Sequence, residues 1–231
     1  MMDVKARVGY DISIDDKSFF LDYKKYDLLS YINESNSMVK ASEKCNVSYR
    51  TTLNYINQIE NALDISIVDT KKGGTGGGGS TALSPEGQMI LKECEKINAL
   101  LELHQDFNEI ESTVTDIKRE NGIMEIEINP NFRLNISIKD NYEIGDKLLA
   151  LISYDNVFIS LNYYKSSIRN LFKGKIMEMS INGEMIRVKI DVGGTYFYSD
   201  ITVSAQKDLD LKLGKEVYIG FKAVSVATMK L

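Results

Sequence analysis

The sequence predicts an α+β protein. Its N-terminal half would be a winged helix-turn-helix with a long dimerisation helix, and its C-terminal half a tandem of small OB-like β-barrel modules, the first of them truncated. Three observations carry this. Helical periodicities fill residues 1–112 and are interrupted by one glycine run, Gly73–Ser80. From about Asn121 the texture changes to short β-branched and aromatic runs broken by Gly, Asn and Asp. Within that second half, Gly145–Ile152 lies over Gly214–Phe221 with matching apolar positions, a weak internal repeat.

The elements follow in order. Val4–Ile14 and Ser18–Leu21 around Asp15-Asp16-Lys17 read as a β-hairpin, and Tyr26–Ile32 as a short helix. Ser37–Lys44 gives a second helix, Cys45-Asn46-Val47 a tight connection, and Ser48 an N-cap for a third helix reaching about Ala62. On that third helix Thr52, Ile56, Ile59 and Leu63 recur at helical spacing and define a buried stripe. Arg50, Asn54, Asn57 and Asn61 repeat the spacing on another face. Arg and Asn side chains match guanine and adenine edges in the major groove, so this helix is a candidate recognition helix. The same face also fits an ordinary solvated surface.

Ile65–Thr70 and Thr81–Leu83 read as the two strands of a wing, with Lys71 and Lys72 placed to reach phosphates. A flexible linker is the competing reading of the glycine run. A phosphate-binding P-loop is rejected, because Ser80 stands where its lysine is required. Ser84-Pro85 opens the next helix, over 84–111, whose apolar seam Ile90, Cys94, Ile97, Leu101 and His104 continues through Phe107 and Ile110. Such a seam suits helix–helix dimerisation, or packing on its own domain. Glu111–Glu120 reads as a polar linker.

Composition limits what the chain can do. Of 231 residues, 28 are basic and 33 acidic, and the formal net charge is -5. No apolar run approaches a membrane span and no signal layout opens the chain, so a soluble cytoplasmic protein without a membrane partner is expected. Two cysteines and one histidine give no metal cluster or triad, and no nucleophile–base pair can be assembled, so no enzyme is expected. Residues 1–110 hold 12 basic and 17 acidic side chains, so any DNA binding must rest on the local cluster Lys40, Lys44, Arg50, Lys71 and Lys72.

In the β half, Ser167, Arg169, Lys222 and Ser225 combine two fixed positive charges with two hydroxyl donors and no interspersed base. That set suits a compact oxyanion rather than catalysis. Taken separately, each residue also fits ordinary strand or loop decoration. The first module has Ser153 and Asn156 in the places of Lys222 and Ser225.

The segment Asn46-Val47-Ser48-Tyr49-Arg50-Thr51, the glycine-rich wing and Leu83-Ser84-Pro85-Glu86-Gly87 together resemble the LysR-like winged helix-turn-helix of the ModE-type molybdate-dependent transcriptional regulators. Ser167-Ile168-Arg169-Asn170, then Ile201-Thr202, Leu211–Val217 and Lys222-Ala223, resemble that family's molybdate-binding TOBE (Mop-like) domain.

The resemblance implies three regions: a winged-helix domain over 1–112 with its dimerisation helix at 84–111, a degenerate TOBE-like module over 120–163, and a TOBE/Mop module over 166–231. It implies that Ser167, Arg169, Thr202 and Lys222 hold molybdate or tungstate with the Ala223 amide, and that Asn170 completes the motif. The site would lie between modules of two subunits. On the DNA side, Tyr49, Arg50 and Asn54 would read bases, with Ser48 and Thr51 in the same motif, while Lys40, Lys71 and Lys72 hold phosphates. Ile168 in place of alanine and Ala205 in place of a serine depart from the pattern, and the first module lacks both the Ser-x-Arg-Asn opening and the lysine.

The function expected is an oxyanion-responsive homodimer on double-stranded operator DNA, repressing molybdate-uptake genes when the ligand is bound. A molybdate storage protein, or a ligand-independent winged-helix protein with a structural β domain, are the alternatives.

Overall fold

The structure, a computed structural model, describes residues 7–71, 80–103, 106–129, 132–138 and 142–231. Lys72, the wing tip at 73–79 and His104 lie outside the described residues. The chain divides into two compact units, Met1–Leu101 and Glu102–Leu231.

In the first unit, β1 (Tyr10–Ile14) and β2 (Lys17–Leu21) form a hairpin closed by a two-residue turn, with Asp15 at φ 53°. Helix α1 spans Tyr23–Ser35, longer than the Tyr26–Ile32 expected. Its length is set by its caps: the Asp22 carboxylate accepts from the Lys25 N–H at 3.0 Å, and Asn36 ends it in the left-handed conformation.

Helix α3 (Tyr49–Leu63) carries the cap expected, Ser48, and α2 (Met38–Lys44) starts one residue later than expected, with Ser37 as its N-cap. The buried residues of α3 are Thr52, Ile56, Ile59 and Leu63, the stripe read from spacing. A buried polar contact fixes the two helices: the Ser42 hydroxyl lies 2.8 Å from Thr52 Oγ1 and donates to the Met38 carbonyl at 2.6 Å. Strands β3 (Val68–Lys71) and β4 (Ser80–Leu83) pair antiparallel as a wing should. The unit's core joins the hairpin, α1, α3 and the inner face of α4 (Pro85–Leu103).

Two expectations are corrected here. The helix after the wing ends at Leu103, and Phe107 and Ile110 belong instead to strand β5 (Phe107–Lys118). The stretch 111–120 is therefore no linker, since most of it is this strand. The physical reason lies in the period: Asn108, Ile110, Ser112 and Val114 are buried at every second residue. The β-branched run Thr113-Val114-Thr115 favours extended backbone.

The second unit contains two five-stranded antiparallel sheets. The first has the order β14-β8-β5-β6-β7, with β6 at Ile123–Asn129, β7 at Phe132–Ser137, β8 at Lys147–Ser153 and β14 at Ala227–Lys230. The second has the order β9-β13-β10-β11-β12, with β9 at Phe158–Ser160, β10 at Asn170–Asn182, β11 at Met185–Val192, β12 at Thr195–Thr202 and β13 at Glu216–Phe221.

The two orders are the same if β5–β8 are set over β10–β13, except that the modules exchange their last strands. β9 follows β8 in the chain but pairs with β13, and β14 follows β13 but pairs with β8. One hydrophobic core runs through both modules, from Val114 and Leu134 to Ile190 and Phe197.

The first module is thus not truncated in its strands, and it begins near Phe107 rather than 120. Among the described residues, what it lacks is the helix that the second module inserts before β13, α5 (Val203–Asp208). That insertion changes the offset between the copies, so an alignment started at Gly145 matches only their C-terminal parts.

Candidate functional site

Antiparallel register places the key side chains. Asn170 at the start of β10 is the partner of Phe221 at the end of β13, so the residues just outside that rung, Arg169 and Lys222, are neighbours at one end of the sheet. Lys222 leads into a single 3-10 turn, Ala223–Ser225, closed by the Ser225 N–H donating to the Lys222 carbonyl at 3.1 Å. The N–H groups of Ala223 and Val224 lie at the open start of that turn.

Ser167, Arg169, Lys222 and Ala223 line one cleft of about 300 Å³. The Arg169 guanidinium donates back to the Ser166 carbonyl at 3.1 Å, which holds it at the rim. Among the described residues neither Arg169 nor Lys222 forms an ion pair, although both are exposed beside a chain rich in carboxylates. Two cations without an ion pair among the described residues and a serine hydroxyl line one cleft with the Ala223 and Val224 backbone, a donor set that suits a compact anion.

Three residues expected with them are not brought into the cleft. Asn170 is fully buried, and its side chain bonds the backbone of Asn135 in both directions, so it fastens β10 to β7. Thr202 is the N-cap of α5, where its hydroxyl accepts from the Ala205 N–H at 3.1 Å. Ser225 ends the 3-10 turn and does not line the cleft. Conversely, sequence reading missed that the first module forms the opposite wall, through Gly122, Ile123 and Ser137. The paired asparagines Asn108 and Asn170, one at the head of each module, were the signal that aligns the front halves.

The corresponding end of the first module can be read rung by rung. Phe107 pairs with Ser153 where Arg169 adjoins Lys222, and Asp200 stands where Ser137 does. A smaller cleft of about 150 Å³ lies there, lined by Asp106, Ser153, Tyr154, Asp155 and Asp200 among others. Arg187 engages two of these lining carboxylates: it donates to Asp200 at 2.7 and 2.9 Å and to Asp106 at 2.5 Å, and its guanidinium stacks 4.6 Å from the Tyr154 ring centroid. Hydrogen bonds to Asp200 and Asp106, against a smaller opposing effect of burial, raise the Arg187 pKa further above its ordinary value. This cleft is charge-inverted relative to the first.

In the first unit, Arg50, Asn54, Asn57 and Asn61 are exposed along α3, and Tyr49 is 48 % exposed at its start. Lys40 and Lys71 are exposed as well. The Ser48 and Thr51 hydroxyls are 2.8 Å apart and the Ser48 oxygen accepts from the Thr51 N–H, so these two residues build the cap of α3. Lys44 is engaged at 2.9 Å by Glu34 and lies over the Tyr31 ring. No described helix is long and apolar enough to cross a membrane.

The cationic cleft thus sits in an antiparallel β assembly with exchanged strands, and part of that assembly is similar in sequence to known proteins. Residues 166–228 match the TOBE domain. The molybdenum import ATP-binding protein ModC of Shewanella oneidensis is 41% identical over 69 residues, covering 29% of this chain and 19% of that protein. ModC of Mannheimia succiniciproducens is 39% identical over 87 residues, 37% of this chain and 25% of that one. The molybdate/tungstate import ATP-binding protein WtpC of Pyrococcus abyssi is 28% identical over 93 residues, 40% of this chain and 25% of that one. The chain therefore spans a quarter or less of the length of these relatives. A crystal structure of the cytoplasmic molybdate-binding protein ModG with molybdate bound superposes at a TM-score of 0.46 with 20% identity, covering 52% of this chain and 94% of that one.

Proposed function

We propose that this protein is a DNA-binding transcriptional regulator whose effector is molybdate or tungstate, bound as the oxyanion, and that it represses molybdate-uptake genes in the bound state. The observation that carries the ligand half of the reading is the cleft in which Arg169 and Lys222 stand, among the described residues, without carboxylate partners beside Ser167 and the Ala223 backbone. A tetrahedral dianion supplies the missing charge and accepts those donors. The matched relatives, named for molybdenum and molybdate/tungstate import, support the choice of oxyanion. The set holds donors and no general base, so the reading is one of binding and not of catalysis.

The DNA half rests on the exposed Arg50, Asn54 and Asn57 of α3, with Tyr49 beside them and Lys40 and Lys71 as phosphate contacts. Helix α4 leaves Met89, Ile97, Leu100 and Leu101 exposed while burying Ile90, Leu91 and Cys94, which supports a homodimer through its outer face. In a dimer, Thr202, exposed at the head of α5, is available to the partner's cleft. The ligand acts by favouring one arrangement of the dimer over another, and about 1–3 kcal/mol of coupling suffices.

The test is a molybdate titration of operator binding with wild type and Lys222→Ala. Wild type changes its DNA affinity with ligand and Lys222→Ala does not; equal responses sink the assigned site. Arg50→Ala and Asn54→Ala each weaken specific binding by about 1–3 kcal/mol. If neither does, α3 is not the reading helix.

A further inference from the structure

We propose that Ser137, contributed by the first module, donates its hydroxyl to the oxyanion held by Arg169 and Lys222 of the second, and that the side chain at this position decides whether a cleft of this assembly accepts an anion. The inference rests on the oxyanion reading above and goes beyond it, because the motif that suggested the site contains no residue of the first module.

Four observations converge. Ser137 is half-buried at the end of β7 and lines the same cleft as Ser167, Arg169 and Lys222. Its position is fixed, since Asn135, two residues earlier on the same strand, is clamped to the buried Asn170 side chain at 2.7 and 2.8 Å. Side chains two apart on a strand share a face. Among the described residues no hydrogen bond engages its hydroxyl.

The fourth observation is an internal comparison. At the pseudo-equivalent end of the assembly the residue in this place is Asp200, two positions after Tyr198, which is clamped by Asn108 in the same way. There the local cation, Arg187, is tied to Asp200 and Asp106. One architecture thus appears twice, with a neutral donor in the cationic cleft and a carboxylate in the acidic one.

The chemistry explains why this position matters. A tetrahedral dianion has four oxygens, and the Ser167 hydroxyl, the Ala223 amide and the two cations all come from the second module. An oxygen turned to the opposite wall meets the first module, where the side-chain donors are the exposed Asn121 amide and, fixed on β7, the Ser137 hydroxyl. A hydrogen bond to a charged acceptor is among the stronger ones, and a carboxylate in its place would meet the dianion with like charge.

Calorimetric titration of the full-length protein with sodium molybdate tests this, using wild type, Lys222→Ala, Ser137→Ala, Ser137→Thr and Ser137→Asp. Thermal melts accompany each variant to separate folding from binding. Ser137→Ala is expected to weaken binding by about 10-fold or more without shifting the melting midpoint, and Ser137→Thr to restore most of it. Ser137→Asp is expected to weaken binding by at least a further 10-fold. If Ser137→Ala binds as wild type does, the proposal is overturned, whatever Ser137→Asp does through its charge. If wild type binds no molybdate, or Lys222→Ala binds equally well, the underlying site assignment fails first and the proposal with it.

Discussion

Asn170 and Asn135 are joined side chain to backbone in both directions: the Asn170 amide donates to the Asn135 carbonyl at 2.7 Å, and its oxygen accepts from the Asn135 N–H at 2.8 Å. Asn108 treats Tyr198 in the same way, accepting from its N–H at 2.7 Å and donating to its carbonyl at 3.0 Å. Each module therefore clamps the edge strand of the other module's sheet, β7 or β12, and a side-chain amide substitutes for a missing rung of sheet.

Removing either clamp leaves two backbone groups of the partner strand without their bonds in a partly buried setting. Asn170→Ala is expected to cost about 2–4 kcal/mol, and Asn108→Ala a similar amount, read from urea unfolding midpoints. Asn170→Asp keeps the acceptor and loses the donor, so it should fall as far or further. Variants as stable as wild type would show that the clamps do not hold the modules together.

The strand exchange has its own tight point. A Cβ at Gly220 would lie 2.4 Å from the Phe158 ring on the exchanged strand β9 and 3.0 Å from the Asn170 carbonyl. Gly220→Ala should displace β9 and destabilise the unit by about 1–3 kcal/mol. Protease sensitivity near residues 158–165 should rise with it. An unchanged melt and digest would mean that Phe158 swings aside at no cost.

Of the two thiols, Cys94 is fully buried in the core of the first unit, and burial pushes its pKa up to about 11 from 9.0. At pH 8 its thiolate fraction is then roughly 100-fold below that of an unperturbed thiol. Titration with a chromogenic disulfide should label the half-buried Cys45 first, with Cys94 reacting only as fast as the unit opens. Equal rates for both would contradict this packing.

Asp22 gives a pH dependence with a definite sign. Burial pushes its carboxyl up, but the hydrogen bonds and charge of Lys25 outweigh that and leave the pKa below the usual 3.8. A group with a lowered folded pKa stabilises fully above its unfolded pKa and loses that contribution as the pH falls through the folded value. Asp22→Ala should therefore cost about 1 kcal/mol at pH 7, as loss of an N-cap does. The gap to wild type should close as the pH is lowered below 3.8. A gap that stayed constant to pH 3 would show that the charged form plays no part.

Local chemistry was legible in the sequence wherever one short segment determines its own structure. The buried stripe of α3 follows from a 3.6-residue period, the cap at Ser48 from its hydroxyl, and the paired strands on either side of the glycine run from their composition. The donor types at Ser167, Arg169 and Lys222 were legible too, and the structure places the three around one cleft. What failed was the reading of 104–120, where helical spacing of Phe107 and Ile110 coincided with a strand that alternates inward at Asn108, Ile110, Ser112 and Val114.

Only the tertiary structure decided how the copies combine. Strand exchange is a long-range pairing that no local period encodes, and α5 shifts the offset between the modules so that their front halves do not align by eye. For that reason Asn170 turned out to be a clamp, Thr202 a helix cap, and Ser137 a wall of the cleft. The sequence determined which residues carry hydroxyl, guanidinium and ammonium donors; antiparallel register, by bringing the start of β10 beside the end of β13 and against β7, determined which of them face the same space.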